Sequence, residues 1–279
     1  MRIFNSTVPA VCLLLALVVG AVQPGGLAKA VHAIESPGLA MFFARGGSFD
    51  LEWREFFGQF AIVISYLFDP DKIFETNVKS CGPCQFIVAQ HRPDEAKPIH
   101  ASDVFLKPLE QLTIFESDPV ARLELPGLGK RKNCLALHPG SGSESKNWPE
   151  ENWRELVGHL LDHSPLNLLL IGGEAEGDRL QRLANGMPSD RLEIAQHIPL
   201  PELAPRLAKC AGYVGHDTGM THLAAALGLP TLVLWGPSNE TIWRPLGEKV
   251  RVLNQHSDLT ELPLETVVKG INALDVEAF

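Results

Sequence analysis

The sequence predicts an α/β protein built on parallel sheets, and three observations carry that prediction. From residue 134 onward, short apolar strands alternate with amphipathic helices, the pattern of a parallel sheet covered on both faces. Earlier, residues 61–65 read Ala-Ile-Val-Ile-Ser, a compact β-branched run suited to a buried strand. Between these regions, residues 116–131 are rich in Pro, Gly and charge, as an interdomain linker is. The chain of 279 residues therefore divides into two domains of ordinary size, 1–125 and 126–279.

In the first domain, a helix is expected over 51–57, strands over 61–65 and 86–89, and a helix over 101–112. The second domain carries strands over 134–137, 167–171, 191–195, 213–215, 231–234 and 250–253. Helices over 150–161, 176–184, 203–208, 218–227 and 264–274 lie between or after them. Ligands of such sheets bind outside the carboxyl ends of the strands.

Composition narrows the function classes. With 45% hydrophobic and 20% charged residues, the chain can bury a sizeable core. A formal net charge of −9 argues against nucleic acid as the main partner, since phosphate backbones are held by clustered Lys and Arg. The ten histidines show no zinc spacing, so no metal and no cofactor are expected. No Walker loop, Gly-x-Gly-x-x-Gly turn or Gly-x-Ser-x-Gly elbow follows a strand.

Five cysteines, an odd number, suit reduced thiols better than a disulfide framework. Cys81-Gly82-Pro83-Cys84 has the spacing of a redox motif, but a strand follows it where such motifs open a helix. A strand-entry turn is the expectation. At the N-terminus, Arg2, the apolar run 8–22 and Ala28-Lys29-Ala30 have the form of a signal peptide. The run is short for a membrane span. The competing and preferred reading makes it a buried remnant of the first domain.

Four loops fall at strand ends of the second domain. The most informative is the turn His216-Asp217-Thr218-Gly219, which opens a helix containing His222. The first N–H groups of a helix lack internal partners and carry partial positive charge, so an anion is at home there. Thr218 suits both capping and contact with an oxygen, and Gly219 admits a close approach. A capped junction without ligand is the other reading. The loop 138–149 offers donors from Ser141 and Gly142 and a mobile charge on Lys146. Glu174 suits either two ribose hydroxyls or the start of the next helix. Trp235-Gly236-Pro237-Ser238 forms the fourth turn.

Taken together, four motifs resemble glycosyltransferase family 9, the ADP-heptose:lipopolysaccharide heptosyltransferases. They are His138-Pro139-Gly140-Ser141-Gly142 with Lys146-x-Trp148-Pro149, the Gly172-Gly173 turn, Asp217-Thr218-Gly219-x-x-His222, and Trp235-Gly236-Pro237-Ser238. The resemblance is nearly continuous over 133–253 and weaker over 25–125. It implies the GT-B fold, two facing Rossmann-like domains with parallel sheets, the N-terminal one incomplete here. It also implies an ADP-sugar donor in the second domain, a lipopolysaccharide inner-core or other glycan acceptor in the first, and inverting transfer without a metal. By motif, Lys146 and Asp217 become the catalytic candidates. Ser141, Gly142, Lys146, Thr218, Gly219 and His222 become diphosphate-side contacts, Glu174 a ribose- or adenine-side contact, and Asp217 a sugar contact. The implied location is cytoplasmic, peripheral to the inner membrane.

One family feature is not found. Members usually begin with a strand and a Gly-rich turn bearing an Asp, thought to be the base; no such turn precedes Gly25. The start thus reads as truncated or replaced, with Asp69 and Asp71 as possible substitutes. A catalytically inactive nucleotide-sugar-binding or scaffold protein is the alternative, and a secreted protein processed after Ala30 is a third reading.

Overall fold

The computed structural model describes residues 11–14, 32–125, 133–188, 190–254 and 258–274. Most of the apolar run 8–22, the segment 28–30 and the later part of the linker lie outside them. The chain forms two compact units, 1–119 and 120–279.

The first unit runs β1 (Val11–Leu14), α1 (Pro37–Ala40) with a 3-10 turn Met41–Phe43, α2 (Leu51–Gly58), β2 (Ile62–Ser65), α3 (Ile73–Lys79), β3 (Gln85–Val88) and α4 (Ala101–Leu106), the last continuing as a 3-10 turn to Leu112. Its strands form a parallel sheet in the order β1-β2-β3. Alternation along β2 separates the two faces. Val63 packs with Phe42, Phe57 and Phe74, whereas Ile64 packs with Ile87 and Leu109. Buried Asn77 donates to the carbonyls of Phe42 and Ala44 at 2.8 and 2.9 Å, tying α3 to the 3-10 turn.

Helix α3 was not expected from the sequence, and its start explains why. Lys72, just before it, is left-handed and caps nothing with its side chain. The amides of Ile73 and Glu75 are instead met by Asp69, at 2.8 and 3.0 Å. Both carboxylate oxygens of Asp69 are thus engaged locally, and Asp71 pairs with Arg45 at 3.0 Å. The Cys81–Cys84 turn links α3 to β3, and burial raises both thiol pKa values, the opposite of an activated thiolate.

The second unit is a doubly wound α/β layer. Its elements are β4 (Cys134–His138), a 3-10 turn Glu144–Lys146, α5 (Glu150–His163), β5 (Asn167–Gly172), α6 (Arg179–Ala184), β6 (Leu192–Gln196), α7 (Leu200–Leu207), β7 (Gly212–His216), α8 (Gly219–Ala226), β8 (Thr231–Trp235), α9 (Glu240–Trp243), β9 (Val250–Asn254) and α10 (Leu264–Asn272). All six strands are parallel, in the order β6-β5-β4-β7-β8-β9. Leu135, Leu137, Leu168 and Leu170 meet Trp153, Leu156 and Leu160 of α5 and Val267 and Ile271 of α10. The intervening Ala136, Leu169 and Ile171 meet Leu203 and Leu207 of α7 and Ala224 of α8. The central strands β4 and β5 are therefore apolar on both sides, as their nearly unbroken apolar sequences require, whereas the edge strands β6 and β9 carry Glu193 and Arg251 facing outward.

Strand order reverses between β4 and β7, where the chain's first and fourth strands of this sheet lie side by side. Such a switch point leaves a crevice at the carboxyl ends, because the connections leave to opposite faces. His138 ends β4 and His216 ends β7, with His138 paired to Gly215 in register. Among the described residues, no helix is long and apolar enough to cross a membrane.

Candidate functional site

The crevice between β4 and β7 is where the sequence-predicted residues meet. Loop 139–149 leaves β4, and residues 217–218 join β7 to α8. Lys146 Nζ lies 2.9 Å from Asp217 Oδ2, so a cation from one loop is held by the carboxylate of the other. The Asp217 side chain is 11% exposed and that of Lys146 33%. A lysine this accessible remains available to an incoming anion, while its partner aims it across the crevice. The turn after β8 backs this pair. A Cβ on Gly236 would lie 3.4 Å from the Lys146 Cα, and the Trp235 indole donates to Ser238 O at 2.7 Å.

Helix α8 starts beside it. Thr218 is the N-cap residue, extended, yet its hydroxyl makes no cap hydrogen bond. That hydroxyl lies 3.4 Å from His138 Nδ1, and the Thr218 carbonyl accepts from Thr221 and His222 amides at 3.1 and 3.3 Å. The amides of the first turn keep their dipole, which favours an anion. Gly219 and His222 are exposed at this end. A Cβ at Gly219 or Gly142 would meet nothing within 4 Å. Internal packing therefore does not demand a glycine at either place, whereas close approach by a ligand would. Ser141 is buried, its hydroxyl donating to Ser143 O at 2.7 Å and accepting from Ser143 N at 3.2 Å, which shapes the loop.

Glu174 stands apart. Its residue is exposed, and its carbonyl accepts from Gly177 N at 3.2 Å in the turn before α6. The carboxylate that enters the crevice belongs to Glu176, which accepts from Gly173 N at 2.5 Å and lies 3.6 Å from His138 Nε2. A Cβ on Gly140 would come within 2.2 Å of Glu176 Oε1, so the loop's glycine is the seat for this side chain. Drawing Glu176 inward also delays the helix, which begins at Arg179 rather than at 176 as expected.

Three further residues at the crevice were given no role from the sequence. His138 is buried beside Glu176, and loss of hydration lowers its pKa to about 4 against the opposing pull of that carboxylate. His216 has no exposed surface, and desolvation lowers it to about 3. Arg179 donates to Pro139 O at 3.3 Å and to Glu144 at 2.8 Å, latching loop 139–149 to α6. Both histidines open the loops named from the sequence, at the last strand positions before Pro139 and Asp217; their place at the head of those loops was the available signal.

A Rossmann-type sheet with a lysine, a helix start and glycine-lined loops at its switch point is an architecture suited to an anion. Residues 102–269, more than half the chain, match Glycosyltransferase family 9 (heptosyltransferase), and the chain belongs to that family. It is 33% identical over 132 residues to lipopolysaccharide heptosyltransferase 1 of Escherichia coli K12, covering 47% of this chain and 41% of that relative. The chain thus matches less than half of that curated relative's length.

Two solved structures are similar in fold. The family 9 glycosyltransferase of Veillonella parvula aligns with a TM-score of 0.67 at 20% identity, covering 79% of this chain and 76% of that one. The E. coli heptosyltransferase WaaC with ADP aligns with a TM-score of 0.62 at 22% identity, covering 79% and 75%. These likenesses place the α/β fold with its parallel sheets among the GT-B heptosyltransferase structures.

Proposed function

We propose that this chain is a heptosyltransferase that moves heptose from ADP-heptose to the inner core of lipopolysaccharide, inverting the anomeric centre without a metal. The observation that carries the reading is the Lys146–Asp217 pair at 2.9 Å, which joins two family motifs across the switch point. Family membership and the ADP held by the structurally similar WaaC support the choice of donor. The acceptor is lipopolysaccharide by the same family argument, and transfer takes place on the cytoplasmic side, at the periphery of the inner membrane.

In this reaction the glycosyl–phosphate bond breaks and its electron pair passes to a diphosphate oxygen. Charge grows on the departing ADP, and fixed donors at that position lower the barrier. Lys146, the amides opening α8 and those of Ser141 and Gly142 take this part. Asp217 aims Lys146 and faces the sugar, Thr218, Gly219 and His222 line the diphosphate side, exposed Glu174 is the ribose- or adenine-side contact, and buried Glu176 braces the crevice through Gly173 and His138. The acceptor hydroxyl attacks from the opposite side and loses its proton to a base.

The test combines the full chain, ADP-heptose and lipopolysaccharide whose inner core lacks heptose. The expected products are heptosylated lipopolysaccharide and ADP. Absence of donor binding at millimolar ADP-heptose contradicts the proposal. Saturable binding with no turnover on any inner-core acceptor would select the inactive nucleotide-sugar-binding reading instead.

A further inference from the structure

Between the phosphate-side loop and the strand β7 lies one fully buried imidazole, and its two ring nitrogens meet opposite ends of that loop. His216 Nε2 is 2.8 Å from the Trp148 amide, and Nδ1 is 3.3 Å from Gly140 O. The chemistry of these partners fixes the tautomer. An amide N–H only donates, so Nε2 accepts; a carbonyl only accepts, so Nδ1 carries the proton. Ring and backbone are each held by a further contact. Trp153 packs edge-on at 5.5 Å, and Thr221 Oγ1 donates to the His216 carbonyl while lying 3.1 Å from the Tyr213 hydroxyl.

The segment between these two anchors contains Ser141, Gly142 and Lys146. The residue after His216 is Asp217, the partner of Lys146. One side chain therefore closes both ends of the loop onto the strand that presents the loop's own counter-charge. We propose that His216 is a positioning residue of the donor site: it staples loop 140–148 to β7, so that Lys146 and the loop amides stand ready for a diphosphate. This rests on the nucleotide-sugar reading of the crevice. Its consequence is pre-organisation, since a loop ordered in advance spends less binding energy on being ordered. Any imidazole replacement that loses the acceptor toward Trp148 leaves a buried N–H unmatched and frees the loop.

Three variants separate the possibilities. His216→Leu removes both contacts. His216→Asn retains a donor on the Gly140 side but is too short for the Trp148 amide. His216→Gln brings an amide oxygen to the place of Nε2. Amide hydrogen exchange without nucleotide reads the loop, and calorimetry with ADP reads the site. For His216→Leu and His216→Asn, the Trp148 amide and its loop neighbours should exchange faster than in the wild type while the β4 and β5 amides stay protected. ADP affinity should fall about tenfold or more, and His216→Gln should recover it to within about threefold.

With Lys146 already replaced by Ala, the further loss from His216→Asn should shrink below about threefold, because both act through one loop. Unchanged loop exchange in folded Leu and Asn variants overturns the staple. An undiminished loss in the Lys146→Ala background overturns its action through the loop. Wild-type protein that binds no ADP, yet shows the faster exchange in the variants, overturns the nucleotide reading and leaves the staple as structure alone. If His216→Leu does not fold, the Asn and Gln pair decides.

Discussion

Lys146 and Asp217 form a pair whose value lies in aim rather than stability, since a partly exposed ion pair stabilises a fold little. Replacing Lys146 with Ala removes the mobile charge proposed to meet the leaving diphosphate; replacing Asp217 with Ala frees that lysine and removes the proposed sugar contact. Each should reduce transfer or donor affinity at least about tenfold, roughly 1.4 kcal/mol, measured by steady-state kinetics and calorimetry. Unchanged values in both would reject these assignments. The buried histidines make a separate prediction. Burial holds the folded pKa of His138 at about 4 and of His216 at about 3, below the ordinary 6.5. Below that ordinary value the unfolded chain takes up protons that the folded one refuses. Stability is therefore full above it and falls as pH drops toward the folded values, by up to about 1.4 kcal/mol per pH unit for each residue. Denaturant unfolding between neutral pH and pH 5 should show the loss, and His216→Gln should flatten the slope; a flat wild-type profile would contradict the neutral rings. The sequence brought Lys146 and Asp217 forward because their motifs stand at strand ends, and the fold adds that the two side chains meet. It could not show that Glu176 turns inward and Glu174 outward. That choice is made by the space over Gly140 and by the Gly173 amide, both set by the sheet.

Among the elements, the loop after β4 and the start of α8 use glycine for two different reasons, and substitution should tell them apart. Gly140→Ala drives a methyl group into Glu176, within 2.2 Å of Oε1, and should cost about 1–3 kcal/mol of stability as the carboxylate is displaced. Gly219→Ala meets no protein atom and sits in a helix, where Ala is the better former, so stability should hold or rise. Its effect should appear instead as weaker ADP binding, because the added methyl occupies the approach to the helix amides. Thermal unfolding and calorimetry on both variants check this; weakened stability at Gly219 or full stability at Gly140 would contradict the division. Element boundaries were legible where periodicity was strong, as in α5, β5 and α10. Helix α3 was hidden because its cap comes from Asp69 four residues ahead of Ile73 rather than from the neighbouring position. The later start of α6 follows from Glu176 serving the crevice instead of the first helical turn.

Across the whole chain, the second unit contains the donor-side residues named from its motifs, on a sheet in the order β6-β5-β4-β7-β8-β9. That order is not written in any local segment. Alternating strands and helices predicted a parallel sheet with covered faces, but which strands adjoin depends on the hand of each crossover and on where winding reverses. The motifs gather at one edge because they fall at strand ends; the fold explains why residues 71 positions apart meet at 2.9 Å. The first unit was less legible, since its aromatic core around Phe42, Phe57 and Phe74 follows neither a clean helical nor a strand period. Loop 139–149 and the start of α8 are proposed to receive a nucleoside diphosphate together. Calorimetric titration of the full chain with ADP tests it most directly. Saturable binding at one site is expected, weakened about tenfold or more by Lys146→Ala. No binding by the wild-type chain at millimolar ADP would contradict it.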